Sequence, residues 1–416
     1  MQNILSLIND PTASPFVKLE GDIRLEDTEK KRISFGKKQA MHGVVEIRRP
    51  NVVIDGAGAV LTLETDGLDA KGLSLFRIHK EAENVRLRNL TIRVRLTHTT
   101  PSAHSFFAIY NNAYGLRIEN CHIEVTSTAQ ANLYGVYNDG DLNTHLTTPA
   151  DNLMLTETTL KLTCDAETIS RPSCVYGLYN RLANSISVQN NFIYATMRGV
   201  GEEQKAIGVY TNGRFGRFVG NNIKANGMHS IAKKKEQAHA TGFINEGTYT
   251  LLSDNNLIGE WGGHCIGLES KADFAKIVGN KILSTHTVWG SSLSCRGHNT
   301  LIQSNIITST ARNARILDLY SSYLLVTDNL IESLTVPPYT VSGCGIYAMS
   351  GAQCIIKDNI IKNATNCGIF TYAGVGTVKD NRIIPWKDAL KEADEKTASL
   401  FTIMDEKRIV SLPDDE

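Results

Sequence analysis

Residues 241–269 read TGFINEGTYTLLSDNNLIGEWGGHCIGLE, and this stretch begins and ends on the same kind of strand, Thr241-Gly-Phe-Ile244 and Ile266-Gly-Leu-Glu269. The same strand recurs elsewhere, at Tyr134-Gly-Val-Tyr137, Tyr176-Gly-Leu-Tyr179, Ile207-Gly-Val-Tyr210, Gly345-Ile-Tyr347 and Gly368-Ile-Phe370. A period of roughly 22–34 residues, built of short alternating strands, is typical of a solenoid whose coils stack around one shared core. The repeat therefore decides the fold class.

A second apolar segment that begins with Asn lies between most of these strands. Its copies are Asn89-Leu-Thr-Ile92, Asn120-Cys-His-Ile123, Asn222-Ile223, Asn280-Lys-Ile282, Asn305-Ile306, Asn329-Leu-Ile331 and Asn359-Ile-Ile361. Asn tolerates left-handed backbone angles and bonds to its neighbours, so the corners of coils favour it. We interpret the Asn series as structural rather than functional.

These Asn corners, the glycine-containing strands and the opening Asn51-Val-Val-Ile-Asp-Gly56 resemble the right-handed parallel β-helix of the pectin-lyase superfamily over roughly residues 40–385. The resemblance implies an all-β solenoid of about 11–12 coils. We expect an N-terminal cap at 1–40, the β-helix at 41–385 and a C-terminal helical tail at 386–416, with its helix over residues 386–404. The superfamily includes lyases, hydrolases, epimerases and inert structural modules, so the fold alone does not give a function.

Composition excludes several classes of partner. Lys plus Arg and Asp plus Glu number 43 each, so no basic field attracts nucleic acid or a membrane surface. The first ten residues lack the basic and apolar regions of a signal peptide, and no later segment is apolar enough to span a membrane. The eight scattered cysteines include no C-x-x-C pair. We expect reduced thiols and a cytoplasmic protein, with secretion by a non-standard route left open.

Strand alternation predicts which side chains leave the core. Counting from each strand glycine, the residue two positions later points outward and forms a first outward column: Tyr137, Tyr179, Tyr210, Ile244, Glu269, Ser294, Asp318, Tyr347 and Phe370. The residue four positions later forms a second outward column: Asp139, Arg181, Asn212, Glu246, Lys271, Arg296, Tyr320, Met349 and Tyr372. The glycine is lost at Ser292 and Ile316, in the coils that carry Arg296 and Asp318.

The two columns together predict a saccharide site. Aromatic rings suit the apolar faces of sugars, and polar rims bond hydroxyl groups. The substrate-binding candidates are Tyr137, Tyr179, Arg181, Tyr210, Asn212, His298 and Tyr347. The catalytic candidates form a charged patch in residues 242–321, namely Glu246, Glu269, Lys271, Arg296, Asp318 and Tyr320. Coils stack at about 4.8 Å, so these groups fit within one sugar-binding site.

The leading prediction is β-elimination at a uronic acid, in which a base removes a proton and the neighbouring carboxylate is neutralised. Lys271 beside Arg296 suits the base and its partner, because a nearby cation lowers the pKa of a lysine. Glu246 and Glu269 offer oxygen ligands for Ca²⁺, so the cofactor prediction is none or Ca²⁺. Ile266-Gly-Leu-Glu-Ser-Lys271 followed by Leu293-Ser-Cys-Arg296 also resembles the alginate lyase and chondroitinase B family. That resemblance implies Lys271 as base and Arg296 as proton donor.

Two alternatives stay open. Glu269 and Asp318 lie two coils apart in the first outward column, about 9.6 Å, which is close to the carboxylate spacing of inverting glycoside hydrolases. Glu246 and Glu269 form a second such pair at about 8 Å on the diagonal. The other alternative is a non-catalytic glycan-binding or structural β-helix. In every case the expected partner is a carbohydrate, and related β-helices often assemble as trimers, which makes a homotrimer the oligomer that the resemblance implies.

Overall fold

The structure is a computed structural model that describes residues 7–25, 42–65, 72–97, 104–140, 150–169, 173–201, 204–227, 238–285, 289–311, 313–334, 344–349, 353–364, 367–371, 376–384, 403–405 and 408–410. A short 3-10 helix, Leu7–Asn9, precedes the first strand. All other regular elements in the described ranges are strands, and three parallel sheets contain them.

Sheet A contains thirteen three-residue strands. They are Phe16–Lys18, Val53–Asp55, Arg86–Arg88, Arg117–Glu119, Met154–Thr156, Ser187–Gln189, Arg217–Val219, Leu251–Ser253, Lys276–Val278, Leu301–Gln303, Leu325–Thr327, Ile355–Lys357 and Thr377–Lys379.

Sheet B also contains thirteen strands. They are Ile23–Leu25, Val60–Thr65, Thr91–Leu96, His122–Ser127, Thr159–Ile169, Phe192–Gly201, Asn222–Asn226, Asn256–Glu260, Lys281–Thr285, Ile306–Ser309, Leu330–Ser333, Ile360–Lys362 and Arg382–Ile384.

Sheet C carries the strands that the sequence analysis placed first. They are His42–Ile47, Gly72–Ile78, His104–Asn111, Ala131–Asp139, Ser173–Arg181, Gln204–Thr211, Ala238–Asn245, His264–Ser270, Trp289–Gly290, Leu293–Cys295, Asn313–Leu319, Cys344–Ala348, Cys367–Thr371, Ile403–Asp405 and Arg408–Val410.

Apart from Arg408–Val410, which pairs antiparallel with Ile403–Asp405, each described strand pairs in parallel with a strand one coil away. The chain visits the three sheets in turn, so the described part of the molecule is a three-sided solenoid. The solenoid already begins at Phe16–Lys18 and Ile23–Leu25, inside the segment predicted to be a cap. The helix predicted over 386–404 lies largely outside the described residues. Its end needs a correction, because Ile403–Asp405 is a strand that pairs with Cys367–Thr371 and then with Arg408–Val410.

The core is a bundle of side-chain stacks, one residue per coil. In sheet A the central residue of each strand points inward, and eleven successive central residues are buried: Ile54, Leu87, Ile118, Leu155, Val188, Phe218, Leu252, Ile277, Ile302, Val326 and Ile356. Burial of such side chains stabilises a fold by about 1.5–3 kcal/mol each. All eight cysteines are thiols, and seven of them are buried among these stacks.

A second internal stack is polar, and it explains the Asn series. Asn191, Asn221, Asn255, Asn280, Asn305, Asn329, Asn359 and Asn381 form a ladder in which each amide nitrogen donates to the next amide oxygen at 2.9–3.0 Å. Asn89 and Asn120 instead hold the preceding corner position, where φ is 53° and 49°. The structural interpretation of these residues is confirmed.

The strand glycines of sheet C have a steric cause. The residue at the glycine and the one after it are both buried, as at Gly135 and Val136. A Cβ on Gly135 would lie 2.5 Å from the carbonyl oxygen of Gly177 in the next coil, and Gly177 meets Gly208 in the same way at 2.6 Å. Where Ser292 replaces the glycine, the strand is split into Trp289–Gly290 and Leu293–Cys295. The loss of the glycine at Ser292 thus coincides with a break in sheet C, whereas the strand that contains Ile316, Asn313–Leu319, is continuous.

Candidate active site

The outward columns predicted from alternation are present in register. In the first column Tyr137 pairs with Tyr179, Ile244 with Glu269, Glu269 with Ser294, and Ser294 with Asp318. In the second, the backbone nitrogens of Glu246, Lys271, Arg296 and Tyr320 each donate to the preceding coil at 2.7–2.9 Å. The structure therefore places the six groups of the charged patch on four successive coils, as the sequence predicted.

The aromatic half of the first column behaves differently from the prediction. Tyr110, Tyr137, Tyr179 and Tyr210 form a tyrosine ladder whose neighbouring rings stack at 5.2, 4.9 and 4.6 Å between centroids, within 16° of parallel. Each inner ring therefore has both faces covered by its neighbours, which removes the sugar-stacking role predicted for Tyr137 and Tyr179. Burial raises the pKa of Tyr137 to about 12.

Tyr347 is covered in the same way at the other end of the column. Phe370 stacks on one face at 4.9 Å, and the guanidinium of Arg315 lies 3.7 Å from the ring centroid. The predicted contact of this ring face with substrate is therefore blocked. Tyrosine hydroxyl groups and ring edges are the parts of these columns that still reach outward.

The polar candidates beside the ladder are also engaged within the protein. The Tyr110 hydroxyl donates to Asp139 Oδ2 at 2.8 Å, and Arg181 forms an ion pair with Asp139 at 3.6 Å. Asn212 Oδ1 accepts the backbone N–H of Leu182 at 2.6 Å. These contacts join neighbouring coils. Arg181 and Asn212 therefore stabilise the solenoid, independently of any role in binding substrate.

In the middle of the face, one ammonium group joins two carboxylates. Lys271 Nζ lies 2.9 Å from Glu246 Oε1 and 3.4 Å from Glu269 Oε1. The Tyr210 hydroxyl donates to the other oxygen of Glu246 at 2.7 Å, which connects the tyrosine ladder to the charged patch. Although burial opposes the shift, these hydrogen bonds from Tyr210 and Lys271 lower the pKa of Glu246.

This arrangement bears on Lys271 as a base. Partial burial opposes the shift, yet the hydrogen bond to Glu246 and the charge of Glu269 raise the pKa of Lys271. The prediction that Arg296 lowers this pKa is wrong in direction, because Arg296 lies instead over the ring of Tyr320, 5.0 Å from its centroid. The cation between Glu246 and Glu269 is thus the lysine itself. Within the described ranges no group of three or more metal-binding side chains gathers around them.

Asp318, two coils beyond Glu269, is the least exposed group of the charged patch. Only 4% of the residue is exposed, and its Oδ2 accepts hydrogen bonds from the Tyr320 hydroxyl at 2.7 Å and from Ser291 at 3.3 Å. Its Oδ1 is buried and has no hydrogen-bond donor among the described residues. Burial raises the pKa of Asp318, against the hydrogen bond from Tyr320 and the charge of Arg315.

Two partners of Asp318, Arg315 and Ser291, were not predicted from the sequence. Arg315 Nη1 lies 3.9 Å from Asp318 Oδ2 and 3.3 Å from the Tyr320 hydroxyl. It projects outward three residues before Asp318 on the same strand, a position that the column count did not include. Ser291 reaches Asp318 because the strand is broken beside it, between Gly290 and Leu293. The lost glycine was the available signal for that contact.

Ser294 separates the two carboxylates of the first column. It pairs with Glu269 on one side and Asp318 on the other, and its side chain is the smallest in this part of the column. Two coil steps place the two carboxylate residues about 9.6 Å apart. Ser294, which is only 5% exposed, thus places a small side chain between Glu269 and Asp318. We call this position the notch, and Lys271, Arg296 and Tyr320 occupy the second column beside it.

His298, predicted to bind substrate, and His264 differ in their surroundings. His298 is exposed, and its Nδ1 accepts the backbone N–H of Ser322 at 3.2 Å, which leaves Nε2 directed away from that bond. His264 is half-buried, and its ring centroid lies 5.6 Å from that of His239 in the preceding coil. Burial lowers the pKa of His264. His298 thus remains a candidate for contact with a ligand beside the charged patch.

Comparison with known proteins gives the class of the fold. A family model described as a right-handed β-helix region matches residues 206–384. With the three parallel sheets, this confirms the predicted right-handed parallel β-helix fold. No curated protein sequence matches the chain.

Solved structures with a similar course include three different proteins. The A-module of the mannuronan C-5 epimerase AlgE6 of Azotobacter vinelandii is 14% identical, with 89% of this chain and 91% of that chain covered at a TM-score of 0.42. The Dettilon tailspike protein is 14% identical, with 84% and 62% covered at 0.38. A DFA-IIIase of Arthrobacter chlorophenolicus A6, solved with DFA-III, is 10% identical, with 87% and 80% covered at 0.30. At these identities the likeness concerns the β-helix alone.

No helix in the described ranges is long and apolar enough to cross a membrane.

Proposed function

We propose that this chain is a carbohydrate-active enzyme that hydrolyses or transfers a glycosidic linkage at the notch between Glu269 and Asp318. The observation that carries the proposal is Asp318, a buried carboxyl whose Oδ1 lacks a partner among the described residues and whose pKa is raised by burial. A carboxyl whose pKa is raised by burial holds its proton to higher pH and is better suited to act as a general acid.

Each group of the patch then has a chemical task. Asp318 donates its proton to the glycosidic oxygen as the bond to the anomeric carbon breaks. A water molecule, or the hydroxyl group of an acceptor sugar, attacks that carbon and gives its proton to Glu269. The ion pair with Lys271, at 3.4 Å, holds the side chain of Glu269 in place. Because Asp318 is only 4% exposed and bonded to the Tyr320 hydroxyl, the substrate displaces Tyr320 as it enters.

The spacing further suggests the stereochemical course. Carboxyl groups about 6.5–9.5 Å apart leave room for a water molecule and are typical of inverting enzymes, whereas about 5–5.5 Å is typical of retaining ones. Two coil steps, about 9.6 Å between backbone positions, favour inversion. An uncharged Ser294 at the midpoint is consistent with a sugar ring in the notch.

β-Elimination with Lys271 as base is less well supported by the contacts. Such a lysine must lose its proton near working pH, but the two carboxylates around Lys271 raise its pKa. The uronate substrate would also have to compete with Glu246 and Glu269 for the same ammonium. Ca²⁺ at these carboxylates would first have to replace that ammonium, so no metal is part of the proposal.

The test is to incubate the protein with alginate, pectate, chondroitin and neutral oligosaccharides while recording reducing ends and ultraviolet absorbance together. We expect new reducing ends or transfer products without the absorbance of an unsaturated uronate, and loss of both in Glu269→Gln. Absorbance that appears with the product would support elimination instead. Binding without turnover of any saccharide would support a glycan-binding module and contradict the enzyme.

A further inference from the structure

The corner between sheets C and A imposes the same strained backbone on successive coils. Backbone hydrogen bonds place its residues in one column, each with φ between 54° and 74°: Asn51, Asn84, Gly115, Asn152, Ser185, Phe215, Tyr249, Phe274, Asn299 and Tyr323. Gly and Asn adopt this left-handed region readily, whereas bulky side chains pay about 1–2 kcal/mol there. Four aromatic residues at such a position call for an explanation outside the fold.

These four residues are also the ones that project into solvent. Phe215, Tyr249, Phe274 and Tyr323 are 55, 51, 45 and 56% exposed. The first three form an aromatic corner stack, with centroids 5.4 and 4.9 Å apart and ring planes within 14° of parallel. Asn299 interrupts the column after Phe274, so the outer face of Phe274 looks across one coil toward Tyr323.

That interruption has the dimensions of a sugar ring. Two coil steps set Phe274 and Tyr323 about 9.6 Å apart. A ring in contact with both aromatic planes at about 3.5–4.0 Å per side needs about 7–8 Å, which a small rotation of either side chain supplies. The exposed side chains of His298 and Asn299 form the polar floor of the gap, where they can bond hydroxyl groups.

The gap between Phe274 and Tyr323 lies on the same coil as the notch. Asn299 follows Arg296 by three residues, and Ser294, at the notch, lies on this same coil. In the first outward column Ser294 lies between the larger Glu269 and Asp318. In the column of corner residues Asn299 lies between the larger Phe274 and Tyr323. A saccharide that crosses the face at this coil passes from the notch to the gap without changing coil.

We propose that Phe274, Asn299 and Tyr323 form a subsite that binds one sugar ring of the saccharide held at the notch, with the ring stacked on the outer face of Phe274. The subsite rests on the proposed function for the identity of its ligand, but its binding is measurable without turnover. The left-handed strain at Phe274 and Tyr323 is then the cost of holding two rings in solvent on either side of one coil.

The test compares Phe274→Asn with Phe215→Asn. Both substitutions place a corner-compatible residue at the same backbone position and remove one exposed ring from Tyr249, but only the first lies at the gap. With oligosaccharides of alginate, pectate, chondroitin and neutral glycans as probes, calorimetry should show the dissociation constant rising about 3–10-fold in Phe274→Asn and unchanged in Phe215→Asn. Thermal unfolding checks that both variants are folded.

Kinetic measurements distinguish the subsite from the proposed enzymatic activity. We expect KM to rise in Phe274→Asn while kcat stays within about twofold. Equal effects of the two substitutions, or an effect of neither, overturn the subsite even if Asp318 proves essential. Saccharide binding that weakens only in Phe274→Asn, in a protein without turnover, supports the subsite while the enzyme proposal fails. No binding of any probe, or self-association lost in Phe274→Asn, overturns the subsite, the latter in favour of a contact between copies of the chain.

Discussion

The tyrosine ladder and the charged patch occupy the same two outward columns of sheet C, on neighbouring coils, and they use them in opposite ways. In the ladder each ring is covered by the next, and Asp139 is paired with Arg181 and Tyr110. In the patch the strand is broken, the first outward column carries the small residue Ser294, and Asp318 retains a buried oxygen that has no partner within the described ranges. The contacts of the first stretch lie within the protein, and the second is the place where we propose that a saccharide binds.

The largest effect is expected at Asp318. Asp318→Asn should lower kcat/KM by about 10²–10⁴-fold, because the amide cannot donate the proton that the leaving oxygen needs. It should also raise the Tm by about 1–2 °C at neutral pH. A carboxyl whose folded pKa is raised loses stability as pH rises from its ordinary value to the folded one, and the amide removes that loss.

Enzyme kinetics and calorimetric melting measure these two changes. Asp328→Asn is the matched control, since Asp328 is exposed, lies in the same coil and has a left-handed backbone that suits Asn. Comparable activity in the Asp318 and Asp328 variants would remove the distinction between patch and scaffold.

The next effect belongs to the ladder and concerns stability. Tyr179→Ala should lower the free energy of unfolding by about 2–4 kcal/mol, because the ring packs between Tyr137 and Tyr210. Urea denaturation measures it, with the exposed Phe192 of the same coil replaced by Ala as control. KM should remain within about twofold in the folded protein. A large rise in KM without a loss of stability would instead indicate that Tyr179 stacks on the sugar.

Parity along the strands explains what the sequence could and could not predict here. The repeat predicted the solenoid. Alternation within each strand then predicted the two outward columns and the grouping of Glu246, Glu269, Lys271 and Arg296 on adjacent coils. It says only which side of a sheet a residue occupies, so it could not show that the rings of Tyr137 and Tyr179 face each other. Side-chain conformation decides that, and a coil spacing close to the stacking distance of aromatic rings favours it.

The same limit applies inside the patch. Alternation placed Lys271 beside Arg296, but the side chains turn apart, one toward Glu246 and the other over Tyr320. Arg315 was missed because the count began at the strand glycine, which is absent from its coil. The loss of the glycine at Ser292, in the preceding coil, did mark the right place, since the neighbouring Ser291 donates to Asp318.

A smaller effect is expected from Tyr320→Phe, which keeps the ring under Arg296 and removes one hydrogen bond to Asp318. Because that bond lowers the pKa of Asp318, its loss should raise this pKa further. The fall of kcat/KM with rising pH should then move to higher pH, with a decrease of about tenfold in its maximum. A pH profile of both proteins checks the shift, and movement to lower pH would contradict the role of Asp318.

The smallest effect should be that of Lys271→Arg. An arginine keeps the positive charge near Glu246 and Glu269, so turnover should remain within about fivefold. A guanidinium is not deprotonated in proteins, so an enzyme that uses Lys271 as its base would lose activity entirely. Initial rates of the two proteins on one substrate decide between the roles, and the stability of the variant is read from the same melting experiment.

The most direct test of the account is the anomeric configuration of the first product, followed by proton NMR as it forms. With Asp318 as acid and Glu269 as base on either side of Ser294, the wild-type protein should release the inverted anomer, and Asp318→Asn should release none. Release of the retained anomer, or of an unsaturated uronate, would contradict the assignment of these two carboxylates.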